Sequence, residues 1–250
     1  MKLPSSFLAR PICHRGLHDR KVGRVENSLE SIKAGVAAGY GIEIDIQPSA
    51  DGHAMVFHDD FLNRLTGQTG LIKLRDRAAL EEIPLKDDSG TIPALDTVLT
   101  HINGQVPVVI EIKDQDGEMG ESVGHLEESV VRALHGYAGD VALMSFNPHS
   151  VAACAALAPD IPRGIVTSSY RASFWPDIPA ATRDRLRDIP DFESVGATFI
   201  SHEADDLDRA RVHQLKAAGA HILCWTIRSA KEEAAARKVV DNITFEGYLA

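Results

Sequence analysis

Short runs rich in Val, Ile and Leu alternate with helix-patterned stretches along the whole chain, and no other feature constrains the fold as tightly. The strand-like runs are residues 11–14, 41–47, 106–113, 141–146, 163–167, 197–201, 220–227 and 242–247. Several are nearly continuous in apolar residues, the pattern of parallel strands that helices cover. Helix signals lie between them. Either Asn27 with Glu30 or Ser28 with Ser31 opens a helix carrying Leu29, Ile32 and Val36, stopped by Gly39. Asn147-Pro148 opens another, residues 206–218 form a third closed by Gly219, and Ser229 with Glu232 opens an Ala-rich segment reaching Val240. Eight βα units joined by right-handed crossovers predict an α/β fold, a (β/α)8 TIM barrel, in preference to an open sheet.

One connection does not fit a plain barrel. Residues 48–105 are too many for a simple crossover, and Asp51-Gly52 is a hairpin-turn dipeptide just before the strand-like stretch from Ala54 to Phe57. Residues 48 to about 90 are therefore read as a small insertion after strand 2. No linker-like change of composition appears, so residues 1–250 are expected to form one domain.

The chain has 26 Lys and Arg against 36 Asp and Glu, a formal charge of −10. That argues against nucleic acid or an anionic membrane as partner, though not against a small anion met by a few local cations. No apolar run approaches the roughly 20 residues of a membrane helix, so stable membrane insertion is not expected. Cys13, Cys154 and Cys224 lie far apart in apolar segments and read as small buried hydrophobes. With no secretory signal in the first residues, the expectation is a cytoplasmic protein.

Chemistry in such a barrel sits at the C-terminal ends of the strands. Glu43 and Asp45 are two residues apart in strand 2, between Ile42, Ile44 and Ile46, so both carboxylates face the barrel interior. Two carboxylates on one inward face repel each other unless a cation lies between them. Strand 3 ends with a second inward pair, Glu111 and Lys113. Strand 1 ends in His14-Arg15-Gly16, the hairpin is followed by His58-Asp59-Asp60, and strand 7 ends in Trp225-Thr226. Each has a purely structural reading: ion pairs of Glu43 and Asp45 with Arg15 and Lys113, a structural His14, an exposed turn at His58, a core Trp225. Together they supply acid, base and cation where this fold places catalysis. Glu43, Asp45 and Glu111 offer hard oxygen donors that suit Mg2+ or Ca2+ rather than zinc. Arg15 and Lys113 would hold phosphate oxygens, and His14 and His58 can exchange protons near neutral pH. Removing the charge of Glu43 or of Asp45 is expected to leave the fold intact, because repulsion is relieved.

The ordered set His14-Arg15-Gly16, Glu26-Asn27-Ser28, Gly41-Ile42-Glu43-Ile44-Asp45-Ile46, Asp51-Gly52, Val56-Phe57-His58-Asp59, Leu62-Asn63-Arg64 and Glu111-Ile112-Lys113 resembles the glycerophosphodiester phosphodiesterase family. Ser145-Phe146 and Trp225-Thr226 match more weakly. The resemblance implies a TIM barrel with an insertion after strand 2. It implies hydrolysis of glycerophosphodiesters to sn-glycerol 3-phosphate and an alcohol such as choline or ethanolamine. It would place the divalent cation on Glu43, Asp45 and Glu111, make His14 and His58 acid and base, set Arg15 and Lys113 on the phosphate, and lay Trp225 beside the glycerol. Two other readings share these residues. Related phospholipase-D-like enzymes expel the alcohol by internal attack and leave a cyclic phosphate. A non-catalytic phosphate-sugar-binding barrel is the second, but a binder has no need of both histidines beside three carboxylates and two cations.

The chain departs from the family pattern in places. Val25 stands where Pro is usual, and the loop from Leu17 to Val25 is long and cationic through Arg20, Lys21 and Arg24, an expected anion-attracting rim or a solvated loop. Arg228 and Glu246 replace the usual Asn and Asp, which bears on distal substrate contacts. The stretch from Thr167 to Pro190 carries Tyr170, Phe174 and Trp175, which either face a choline-like head group or cover the barrel rim. His202 is expected at the mouth or on the surface.

Overall fold

The computed structural model describes residues 2–250. Nine strands appear: β1 Ile12–Cys13, β2 Gly41–Pro48, β3 Ala54–Val56, β4 Val108–Ile112, β5 Val141–Ser145, β6 Arg163–Thr167, β7 Phe199–Glu203, β8 His221–Ile227 and β9 Asn242–Phe245. The helices are α1 Ser6–Ala9, α2 Leu29–Ala37, α3 Arg77–Leu80, α4 Leu95–Ile102, α5 His125–Ala133, α6 Pro148–Leu157, α7 Ala180–Arg187, α8 Ala210–Ala217 and α9 Ala230–Ala236. All strands but β3 are parallel. Because β1 pairs with both β2 and β9, the sheet closes on itself as a (β/α)8 TIM barrel.

Strand alternation divides the side chains into two layers. Ile42, Ile44 and Ile46 point outward and pack with Ile32 of α2 and Val98 and Leu99 of α4. Their neighbours Glu43 and Asp45 point inward. The bottom of the interior is apolar: Val109, Ala142, Val166, Phe199 and Leu223 pack against Leu3 and Phe7 from the N-terminal segment. Phe7 is fully buried there, a burial that contributes about 1.5–3 kcal/mol. Asn242 clamps the segment by donating 2.7 Å hydrogen bonds to the carbonyls of Phe7 and Arg10. One end of the barrel is thus plugged, and polar chemistry is confined to the other.

The insertion is a hairpin with its own core. β3 runs antiparallel to β2, with Ile46 opposite Val56 and Pro48 opposite Ala54, and Gly52 takes the left-handed turn position at φ 78°. Met55, Phe57, Leu62, Leu65, Leu80 and Ile92 bury one another together with Val25. Val25 therefore keeps an apolar contact where Pro is usual. Arg20 bonds Asp87 of the insertion at 2.6 Å, and Arg24 bonds the carbonyl of Leu17. The cationic loop spends these two arginines on structure.

Several boundaries differ from the sequence expectation. β4 begins at Val108 because Pro107 has no N–H for the ladder. β7 is displaced two residues toward its C-terminus and takes in His202 and Glu203. The helix expected from residue 206 begins at Ala210, because Asp206 instead accepts from Arg209 at 2.6 Å and contacts His202. α9 ends at Ala236, short of Val240. Ser28, not Asn27, caps α2 by accepting from the Ser31 N–H. Asn27 has φ 58° and donates its side-chain amide to Asp45 instead.

Candidate active site

Adjacent strands β2 and β4 set Asp45 directly opposite Glu111 in the parallel register, with Glu43 one inward position below. The three carboxylates are buried, and one oxygen of each lies within 4.8 Å of the others. Two cations intervene. Lys113 Nζ is 2.6 Å from Asp45 and also pairs with Glu111. Arg15 Nε is 3.0 Å from the other oxygen of Asp45, which also accepts from the Asn27 side chain at 2.8 Å. Glu43 has no such partner: one oxygen accepts from the Arg15 backbone N–H at 2.9 Å, and Oε1 is buried without a hydrogen-bond partner among the described residues.

The strand 1 loop makes this possible. Arg15 has φ 56° and Gly16 φ 77°, so the backbone turns sharply after His14 and aims the Arg15 N–H at Glu43. A Cβ on Gly16 would lie 2.8 Å from the Ser31 carbonyl carbon. Asn27 and the Ser31 hydroxyl both donate to the Arg15 carbonyl, at 2.9 and 3.1 Å, and hold the turn against α2.

The charges are unevenly settled. Burial, then Asp45 and Glu111, push the Glu43 carboxyl well above the usual carboxylate range. Burial acts on Asp45 in the same sense, but Lys113 and Arg15 overcome it and hold Asp45 well below that range. Burial likewise opposes the Lys113 charge, and Asp45 and Glu111 more than restore it. Asp45 is therefore ionised and paired, whereas Glu43 is the crowded member of the three, its charged form disfavoured and one oxygen left open. A dication among these oxygens would relieve that crowding, and the donor set fits one.

The histidines stand on separate supports. His14 Nδ1 is 2.6 Å from Glu246 Oε2, and the other Glu246 oxygen takes Arg228 Nε at 2.8 Å. Burial opposes the Glu246 charge, yet His14, His18 and Arg228 hold it far below the usual range. An ionised Glu246 can only accept, so His14 carries its proton on Nδ1 and leaves Nε2 as the basic nitrogen. Burial, then Arg15, push His14 down from 6.5 to about 4, against the pull of Glu246. His58 Nδ1 is 2.7 Å from Asp59. Arg64 bonds Asp59 at 2.6 and 2.8 Å and Glu26 at 2.7 Å, and Glu26 in turn bonds Arg15 at 2.6 Å. Despite its burial, Glu26 is drawn to about 2 by Arg64 and Arg15.

These residues line one side of an open cavity of about 950 Å³. His14, Arg15, Glu43, His58, Glu111 and Lys113 reach it, with Asp45 just beneath. Trp225, Phe146 and Trp175 form the facing wall, their rings 4.8 to 5.6 Å apart as neighbours. All eight residues singled out from sequence thus converge. Of the aromatic loop, Trp175 joins this wall, Tyr170 is buried behind it and Phe174 is exposed at the rim. His202 is at neither the mouth nor the surface: it is fully buried between Thr167 and Asp206, with burial lowering its pKa. Glu26, Arg64 and Glu246 acquire contacts that sequence did not assign. The first two stand inside the matched motifs; Glu246 stood out only as a departure.

The chain matches the Glycerophosphoryl diester phosphodiesterase family over residues 14–243. The glycerophosphodiester phosphodiesterase of Caldanaerobacter subterraneus subsp. tengcongensis is 31% identical over 177 residues, 66% of this chain and 69% of that one. The enzyme of the same description from Bacillus altitudinis is 28% identical over 172 residues, 64% of this chain and 67% of that one. Among solved structures, an Oleispira antarctica phosphodiesterase in complex with the product sn-glycerol-3-phosphate superposes with a TM-score of 0.78 at 26% identity, over 96% of this chain and 94% of that one. The family match runs from His14, directly after β1, into β9 and so spans nearly the whole barrel: the chain belongs to the glycerophosphoryl diester phosphodiesterase family.

Proposed function

We propose that Glu43, Asp45 and Glu111 hold a divalent cation, Mg2+ or Ca2+, and that His14 and His58 are the base and acid of glycerophosphodiester hydrolysis. The observation that carries this reading is the buried, unpartnered oxygen of Glu43 beside Asp45 and Glu111. When bound, the cation supplies electrophilic stabilisation of charge on a phosphoryl oxygen. Lys113 and Arg15 orient the phosphate and take up its growing negative charge. His14 accepts at Nε2 a proton of the attacking water as the water oxygen bonds to phosphorus. His58 donates a proton to the alcohol oxygen as the P–O bond breaks. Trp225 flanks the glycerol moiety, and the products are sn-glycerol 3-phosphate and the head-group alcohol.

The wall of Phe146, Trp175 and Trp225 suits a quaternary ammonium head group through cation–π contact. Residues 1–250 act in this reading as one domain, the hairpin insertion contributing His58. The three free, buried cysteines fit a reducing, cytoplasmic setting. Among the described residues, no helix is long and apolar enough to cross a membrane.

The test is a product assay on glycerophosphocholine, glycerophosphoethanolamine and glycerophosphoglycerol, with Mg2+ or Ca2+ and with excess EDTA. Release of sn-glycerol 3-phosphate that EDTA abolishes is expected. Full activity in EDTA overturns the cation site, and an accumulating cyclic phosphate in the phosphorus NMR spectrum overturns attack by water.

A further inference from the structure

A second group of possible metal ligands lies beside the carboxylate cup and plays no part in it. His14, His18 and Glu246 each bring one donor atom within 4.8 Å of the others. His18 Nε2 is 3.5 Å from Glu246 Oε2, the same oxygen that meets His14 Nδ1 at 2.6 Å. That nitrogen of His18 is buried and makes no hydrogen bond among the described residues. A buried ring nitrogen 3.5 Å from a carboxylate oxygen, outside hydrogen-bond geometry, is poorly satisfied, and a metal ion between the two would take up its lone pair.

We propose that His14, His18 and Glu246 form a zinc-class transition-metal site whose occupation switches the enzyme off. Two imidazoles and one carboxylate suit Zn2+, whereas the oxygen-only cup of Glu43, Asp45 and Glu111 suits Mg2+ or Ca2+. The spacing is close to what zinc requires. Ligands about 2.1 Å from a tetrahedral ion stand roughly 3.4 Å apart, so the His18–Glu246 pair is already in range and the His14–Glu246 pair must open by less than ~1 Å. Arg228 holds the opposite oxygen of Glu246, so Oε2 is the one that faces both histidines.

The consequence for catalysis follows from the imidazole tautomer, and this part rests on the assignment of His14 as base. In the metal-free site Nδ1 carries the proton toward Glu246 and Nε2 has the free lone pair. Zinc at Nδ1 needs that lone pair instead, so the single proton of neutral His14 moves to Nε2. The nitrogen that should accept a proton then bears one. The residue that makes the site is His18, four positions after His14 in the long first loop.

The test has two arms. Hydrolysis of glycerophosphocholine is followed at saturating Mg2+ or Ca2+ while buffered Zn2+ is raised, in wild type and in His18→Ala, each relative to its own zinc-free rate. Zinc is expected to suppress the wild type reversibly, and His18→Ala to raise the half-inhibitory concentration at least about 10-fold, a loss that even supporting residues of metal sites show. Equal inhibition of the two overturns the switch. Zinc binding is then measured by calorimetry in Glu43→Gln, whose cup is impaired, and in Glu43→Gln with His18→Ala. Binding in the first that is lost in the second supports the site; equal binding in both overturns it regardless of which residues are catalytic. Binding through His18 with no loss of rate keeps the site and overturns His14 as the base, so the two readings fail separately.

Discussion

Arg64, in the insertion, holds Glu26 with both terminal nitrogens at 2.7 Å, and Glu26 passes that hold to Arg15 at the floor of the site. The same guanidinium grips Asp59, the partner of His58. One side chain thus fixes an arm of the cation cluster and the orientation of a histidine on another segment. Arg64→Ala is expected to lower kcat by about 10–100-fold through misplacement of these groups, with a stability change near 1 kcal/mol because Arg64 is half-exposed. Arg64→Lys should recover little, since an ammonium cannot reproduce the paired contacts. Steady-state kinetics beside denaturation curves check both.

Glu43→Gln and Asp45→Asn are expected to diverge in stability, although both should lose activity. Glu43 is crowded and unpaired at one oxygen, so its amide keeps the bond from the Arg15 N–H while shedding repulsion. Asp45 is the counterion of buried Lys113 and Arg15. Asparagine there leaves these cations short of a partner and should destabilise by about 3 kcal/mol. The two environments therefore predict that loss of charge is tolerated at Glu43 and costly at Asp45, where sequence led to an expectation of equal tolerance. Urea unfolding in EDTA measures the difference.

The lowered pKa of His14 has a definite sign. Between 6.5 and about 4 the unfolded chain takes up a proton that the native His14 refuses, so native stability falls as pH drops through that window and levels off below it. From pH 7 to pH 5 the expected loss is on the order of 2 kcal/mol from this residue. His14→Gln should flatten that part of the stability–pH profile. In catalysis, the acid limb of kcat/KM that reports the base should fall well below 6.5.

Gly16→Ala should harm both fold and activity. The left-handed φ of 77° disfavours any side chain, and the new Cβ would press on the Ser31 backbone at 2.8 Å. A cost of about 1–3 kcal/mol is expected, with a fall in kcat because His14 and Arg15 lead into this turn. Thermal denaturation and kinetics on the same preparation test it.

Strand spacing alone placed Glu43, Asp45, Glu111 and Lys113 on the inner face, because a strand has a strict period of two and the barrel has only one interior. It also announced the hairpin through Asp51-Gly52 and marked His14 and His58 by their positions after strands. Helix ends were less legible: Ser28 and Asn27 both look like caps, and only the close approach of β2 recruits Asn27 to Asp45. Partnerships remote in sequence were not legible at all. Arg64 and Glu26 are 38 residues apart, and His14 and Glu246 are 232 apart. No local pattern encodes such pairs; closure of the barrel, which sets β1 beside β9, brings His14 to Glu246, and packing of the insertion around Val25 brings Arg64 to Glu26. The sequence by itself determined the fold class, the inward carboxylates and the family motifs, because these depend on short-range periodicity. Only the tertiary structure decided which carboxylate is paired, which is left open, and which nitrogen of His14 is basic, because those depend on which charges share the same desolvated space.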